Sequence, residues 1–392
     1  ICIWGKSEKD GITVRVNLRN SSASAIVSNG EWETYLPPLE AGSGFELEIE
    51  SEDEKNVIRD VAIGEVWLAS GQSNMEFLLR DDADAKDQAS VNLPDVRCFE
   101  VPKISFPGQE FDRDYSEVGR WRKAIGKEAL YFTAVGYYFA KKLHGELSVP
   151  VGIVNCTWGG ISASSFISEP YFTADLHVFL DEAKKVQSEM SDEDALAEYR
   201  AFQKTIDELP ISNSISNLAP IAMTDELKQF NQKANRLRLS VYSPFRPSGL
   251  YETMLRTIAP YTIQGVLWYQ GESDEARPEL YHELMQALIR CWRNLWTAEL
   301  PFILVQLAPF EFMVEPLNFV PIREVQQHLT KTTPKVWLVC IMDLGMRYDV
   351  HPKKKSPVGY RLALQALSKV YGRAILADSP ELEHTVLSGS SL

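Results

Sequence analysis

The sequence predicts an α/β fold: a doubly wound parallel sheet of five strands with helices on both faces, preceded by a small antiparallel β module. Three observations predict it. Short, almost wholly apolar runs recur near 63–69, 151–156, 264–270, 302–308 and 336–342. Helical periodicities at 128–144, 278–296, 320–331 and 357–371 lie between or after them. Residues 1–59, by contrast, alternate apolar and polar side chains. Apolar strands separated by helices belong to a parallel sheet buried on both faces, whereas strict alternation marks a sheet with one wet face.

Each element has its own justification. In the N-terminal module Ile12, Val14, Val16 and Leu18 share one face, and Phe45, Leu47 and Ile49 another. Turn signals at Asn29–Gly30 and Pro37–Pro38 lie between these runs. The opening Ile1-Cys2-Ile3-Trp4-Gly5 reads as mid-strand, so the module is expected to begin before Ile1. From residue 60 to about 375 the strand–helix grammar defines the main domain. Within 278–296, Leu280, Leu284, Leu288, Cys291 and Leu295 fall at three- and four-residue steps, one face of a helix. The charged stretch 171–245 interrupts the pattern and reads as a helical insertion, either a lid or a peripheral decoration. Residues 376–392 are a tail or the start of a further β segment.

Composition removes several function classes. The 392 residues carry 54 acidic against 40 basic side chains, a formal net charge of −14, whereas a nucleic-acid partner needs a basic face. Hydrophobic residues make up 45%, enough for a sizeable core, yet no run of about 18 apolar residues is available to span a membrane. The five cysteines are odd in number and scattered without a CxxC pair, which favours a reducing compartment such as the cytoplasm and argues against a zinc ribbon. Several, such as Cys340 in VWLVCIMD, sit in apolar surroundings as small buried side chains. No leader is legible, and a chain starting at Ile1 leaves a periplasmic or secreted location open. His282 opens HELMQ, which fails the HExxH zinc pattern, and neither metal nor cofactor is expected. Oligomeric state is not legible.

A doubly wound sheet binds ligands beyond the carboxyl ends of its strands, so the residues just after each strand should carry the chemistry. After the first comes Gly71-Gln72-Ser73-Asn74-Met75, placing Ser73 at a helix start among unpaired N–H groups. The surroundings are not G-x-S-x-G, so no nucleophile elbow is implied. After the second comes Thr157-Trp158-Gly159-Gly160, whose glycines let backbone amides approach a ligand. Gln270 closes the third strand and can aim its amide into the same crevice. After the fifth, Asp349 and His351 lie two apart on one side of an extended segment. Nucleophile, backbone donor, side-chain donor and base are the parts of an acyl-transfer site.

GEVWLASGQSNMEF, WGG, GVLWYQGESD and DVHPKKKSPVGYRLAL resemble the blocks of sialate O-acetylesterases and related carbohydrate acetylesterases of the SGNH hydrolase superfamily. The resemblance runs from the β module to about residue 370 and is weakest over 171–245. It implies a flavodoxin-like three-layer sandwich and a serine esterase that removes O-acetyl groups from a sugar. O-acetylated sialic acid is the first expectation, acetylxylan or another glycan the second. It further implies Ser73 as nucleophile and His351 as base, with the Ser73 and Gly160 N–H groups and Gln270 as oxyanion donors. The superfamily acid lies three residues before the histidine, where this chain has Tyr348. Asp349 is the candidate here, a dyad oriented by a backbone carbonyl the alternative, with Asp343 and Glu272 further choices. Arg80, Arg246, Arg347 and Trp158 are candidates to meet the sugar, although surface roles for the arginines stay open. A carbohydrate-binding protein that no longer catalyses is the competing reading from another class.

Overall fold

A computed structural model describes residues 1–52, 54–112, 114–208, 236–311 and 318–380. The N-terminal residues form six strands: β1 (Cys2–Lys6), β2 (Thr13–Leu18), β3 (Ser21–Ile26), β4 (Glu31–Tyr35), β5 (Gly42–Glu50) and β6 (Lys55–Ile63). β1 pairs with β4, and a four-stranded antiparallel sheet runs β3-β2-β5-β6. Val14, Val16, Leu18, Trp32 and Leu47 form their buried core. Ser28 pairs with Glu31 across Asn29 and Gly30, both at positive φ (54° and 77°), the backbone that Asn-Gly favours in a two-residue hairpin.

The main sheet is built from β7 (Glu65–Gly71), β8 (Asn92–Glu100), β9 (Trp121–Ile125), β10 (Val151–Thr157), β11 (Gly265–Tyr269), β12 (Phe302–Val305) and β13 (Val336–Val339). Its order is β13-β12-β11-β7-β10-β8-β9, parallel throughout except for β9. The five expected strands lie side by side, but the expected five-stranded sheet is a seven-stranded one. β8 and β9 extend it at one edge. Every residue of β10 and β11 is buried, as a central strand covered on both faces requires.

The helices that position the site are α1 (Ser73–Glu76), α2 (Ala134–Leu147), α3 (His177–Ser188), α4 (Asp192–Glu208), α5 (Pro278–Trp296), α6 (Val320–Thr332) and α7 (Ser356–Lys369). Trp67 and Ser70 are three apart on β7 and so point to opposite faces. Trp268, in register with Ser70, meets Trp292 of α5 at 5.7 Å. Trp67 meets Phe139 of α2 at 5.1 Å, so α2 and α5 cover opposite faces. α7 packs on α2, and at Gly359 the helices come so close that a Cβ would lie 2.6 Å from the Val135 carbonyl oxygen.

The expected insertion is helical where it is described, as α3 and α4. Tyr199 of α4 packs on Phe106 and donates its hydroxyl to Ser105 Oγ at 3.0 Å. Residues 209–235 and the tail residues 381–392 lie outside the described residues. Four cysteines are buried and free, while Cys340, expected to be buried, is only half so. Among the described residues no helix is long and apolar enough to cross a membrane.

Candidate active site

Ser73 is the first residue of α1, directly beyond β7. Its place depends on Gly71, where φ is +131° and a Cβ would lie 2.2 Å from the Tyr269 carbonyl oxygen of the adjacent strand. Only glycine lets the chain turn off the sheet so close to β11. As the first helical residue, Ser73 has an N–H with no intrahelical carbonyl to meet.

His351 arrives 278 residues later, on the loop between β13 and α7, and its Nε2 lies 2.8 Å from Ser73 Oγ. With the other ring nitrogen protonated, the Ser73 hydroxyl donates to Nε2. Burial lowers the His351 pKa, and the nearby Lys355 charge lowers it further. A neutral imidazole is the form able to accept the serine proton.

Asp349 is buried, with Oδ1 3.9 Å from His351 Nδ1, a charge contact too long for a hydrogen bond. The same oxygen accepts the backbone N–H of His351 at 2.9 Å, and Oδ2 pairs with Lys353 Nζ at 3.0 Å. The aspartate therefore folds the loop tightly around the histidine backbone. The two further candidate acids are engaged elsewhere: Asp343 binds Arg361 through both oxygens, and Glu272 accepts from Asn74.

A side chain at Gly159, rather than one at the expected Gly160, would face the serine. A Cβ on Gly159 would stand 3.7 Å from Ser73 Cβ, whereas one on Gly160 would face Phe245. The Gly160 carbonyl accepts from Arg238 at 2.9 Å. The choice of Gly160 rested on the resemblance alone, since the residues themselves do not distinguish two adjacent glycines.

Gln270 also departs from expectation. Its Nε2 donates to the Ile161 carbonyl at 3.1 Å and to Asp274 Oδ2 at 2.6 Å, and its Oε1 accepts from the Tyr281 hydroxyl. Both amide protons are thus engaged within the protein. Asp274 in turn accepts from Ser162 Oγ and the Ala163 N–H. Gln270 is a brace between the loops after β10 and β11 and does not present a free donor.

Ser73, Gly159 and His351 border a cavity of about 630 Å³. Arg80 reaches its wall, stacked 5.6 Å over the Tyr131 ring and 3.7 Å from Asp81. Of the other sugar candidates, Arg246 donates to the Ser105 and Ser243 carbonyls, and Arg347 pairs with Glu311. Trp158 lies under the Lys103 ammonium at 5.2 Å. Lys103 also pairs with Glu76, a cavity residue that the sequence did not single out. A second is Glu100, whose burial raises its pKa to about 7.

A family model described as carbohydrate esterase, sialic acid-specific acetylesterase matches residues 199–368, a span that holds Gln270, Asp349 and His351. Sialate O-acetylesterase of Mus musculus is 26% identical over 417 residues, covering 94% of this chain and 70% of its own. The Homo sapiens enzyme of that name is 26% identical over 409 residues, covering 94% and 67%. Among solved structures, a carbohydrate acetylesterase from Xanthomonas citri aligns with a TM-score of 0.73 at 29% identity, over 97% of this chain and 73% of that one.

Proposed function

We propose that Ser73 and His351 of this carboxylic ester hydrolase, which is similar to the sialic acid-specific acetylesterases, cleave O-acetyl groups from sugars, with O-acetylated sialic acid as substrate. The observation that carries the chemistry is the 2.8 Å Ser73–His351 contact at the wall of the cavity. His351 Nε2 takes the Ser73 proton as Oγ attacks the acetyl carbonyl carbon. The oxyanion is held by backbone N–H groups of Ser73 and Gly159, with Gln270 bracing the loop that carries the glycine. His351 returns the proton to the departing sugar oxygen, leaving acetyl-Ser73. A water, deprotonated by the same nitrogen, then releases acetate and restores the hydroxyl.

Asp349 acts on His351 by charge and by holding its backbone. Asp349→Asn keeps an oxygen for the His351 N–H but removes the charge. A fall in kcat of about 10²-fold or less is expected, short of the roughly 10⁴-fold that follows replacement of an aspartate hydrogen-bonded to a triad histidine. Because the Asp349 charge raises the His351 pKa, its loss moves the acid limb of kcat/KM to lower pH. A 10⁴-fold loss at unchanged stability would mean that the carboxylate reaches Nδ1 in the working enzyme.

Arg80 supports the sialate reading, being the one candidate arginine on the cavity wall. A guanidinium there can take a sugar carboxylate in a charge-assisted pair. Arg80→Ala is expected to raise KM for O-acetylated sialic acid by about tenfold or more, the worth of one hydrogen bond to a charged group. KM for a neutral acetylated xylan oligosaccharide should hold steady. Steady-state kinetics on both substrates test this, and equal effects on the two would favour a neutral glycan.

A further inference from the structure

Behind the Ser73–His351 pair lies a buried ammonium that the acyl-transfer steps leave without a task. Lys355, at the start of α7, is 0% exposed. Its Nζ donates to Asn74 Oδ1 at 2.5 Å and lies 4.8 Å from the Phe77 ring and 5.6 Å from that of Tyr269. Among the described residues no carboxylate stands within ion-pair distance of Nζ, although Asp82 accepts the Lys355 backbone N–H at 2.7 Å. Burying an ammonium this way is costly, and its pKa falls to about 7. A cost of that kind beside an active site calls for a functional reading.

Asn74 supplies one. It follows Ser73 directly, is itself buried, and donates Nδ2 to Glu272 Oε1 at 2.7 Å and to the Val350 carbonyl at 2.9 Å. That carbonyl belongs to the peptide bond immediately before His351. An asparagine amide can face either way, but an ammonium only donates, so Lys355 dictates which end is oxygen. With the oxygen fixed on Lys355, both N–H donors must face Glu272 and Val350. We propose that Lys355 is a positioning residue for the Ser73–His351 pair, acting through the Asn74 amide to hold the Val350–His351 peptide against the helix that carries Ser73. The inference rests on the reading of those two residues as the catalytic pair.

Lys355 also acts on His351 by charge. The charged groups facing Lys355 are Glu272 beyond β11, Asp82 after α1, and Lys353 and Asp349 on its own loop, and those facing His351 are Lys355, Asp349, Lys353 and, from α1, Glu76. The Lys355 charge opposes formation of the imidazolium, so its removal raises the His351 pKa. The acid limb of kcat/KM then moves to higher pH, opposite to the shift expected for Asp349→Asn.

The test uses the full chain and a chromogenic acetate ester. Lys355→Met is expected to lower kcat by about 10- to 100-fold, the scale of a small misplacement of reacting groups. KM should stay within about twofold, since ground-state binding is untouched, and the acid limb should move up. Adding Lys355→Met to Asn74→Ala should cost little beyond Asn74→Ala alone, because the two act as one unit. A wild-type kcat with an unmoved acid limb, whatever the change in Tm, overturns the proposal. If Lys355→Met does not fold, Asn74→Ser carries the test: a lowered kcat is expected, and a wild-type kcat overturns the proposal. Ser73→Ala run alongside separates the two readings. Activity surviving in Ser73→Ala refutes the catalytic pair itself, whereas an inactive Ser73→Ala beside a normal Lys355→Met refutes only the positioning role.

Discussion

Ser73→Ala is expected to fold like the parent and to lose turnover on the order of 10⁶-fold, as removal of a serine-hydrolase nucleophile does. The hydroxyl contributes little to the fold. Its contact is with His351 Nε2, and the helix it begins is not held by a side-chain cap. Gly71 sets the turn, and the backbone bonds from Met75 and Glu76 to Gln72 and from Phe77 to Ser73 form the helix without Oγ. Thermal denaturation should therefore match the parent while acetate release collapses. What remains should be the modest catalysis of the oxyanion donors and binding, roughly 10³–10⁴ over water. More than a few per cent of parental turnover in a preparation free of wild-type enzyme would refute the nucleophile.

Much of this site is legible in the amino-acid sequence because it obeys one topological rule. Ser73 and His351 stand far apart in the chain but both follow parallel strands, and the carboxyl ends of such strands share one edge of the sheet. What the sequence concealed has physical causes. β8 carries Pro94 and Arg97 and is only partly buried, so it lacks the apolar run that marked the other strands. β9, WRKAI, is an edge strand paired on one side alone, with little need for apolar residues on both faces. Gln270 occupies a strand end as expected, yet buried Asp274 requires donors and takes one of its amide protons. Lys355 ends a run of three lysines, the usual signature of a solvated surface. Nothing local distinguishes the third lysine from its neighbours. Its burial follows from the meeting of α7, α1 and the β11 loop, a tertiary fact that periodicity cannot carry.

His351→Ala should cost as much as Ser73→Ala, about 10⁶-fold in kcat, since without its base the serine hydroxyl is a poor nucleophile at neutral pH. The two groups act as a unit across a single 2.8 Å contact, so their losses should not add. Ser73→Ala/His351→Ala is expected to retain the activity of either single variant, because once the serine cannot attack, the base has no proton to take. Additive losses would instead mean that each residue serves a separate step, and a His351→Ala variant within about 10²-fold of the parent would exclude the base role. The parent enzyme offers an independent check. The His351 pKa lies below its ordinary value through burial first and the Lys355 charge second. Neutral imidazole therefore persists as pH falls through the range where a free histidine would protonate. The acid limb of kcat/KM should accordingly lie below pH 6.5, the ordinary histidine value. A limb above that value would mean that His351 is stabilised as imidazolium in the free enzyme, which an Asp349 carboxylate drawn onto Nδ1 would produce.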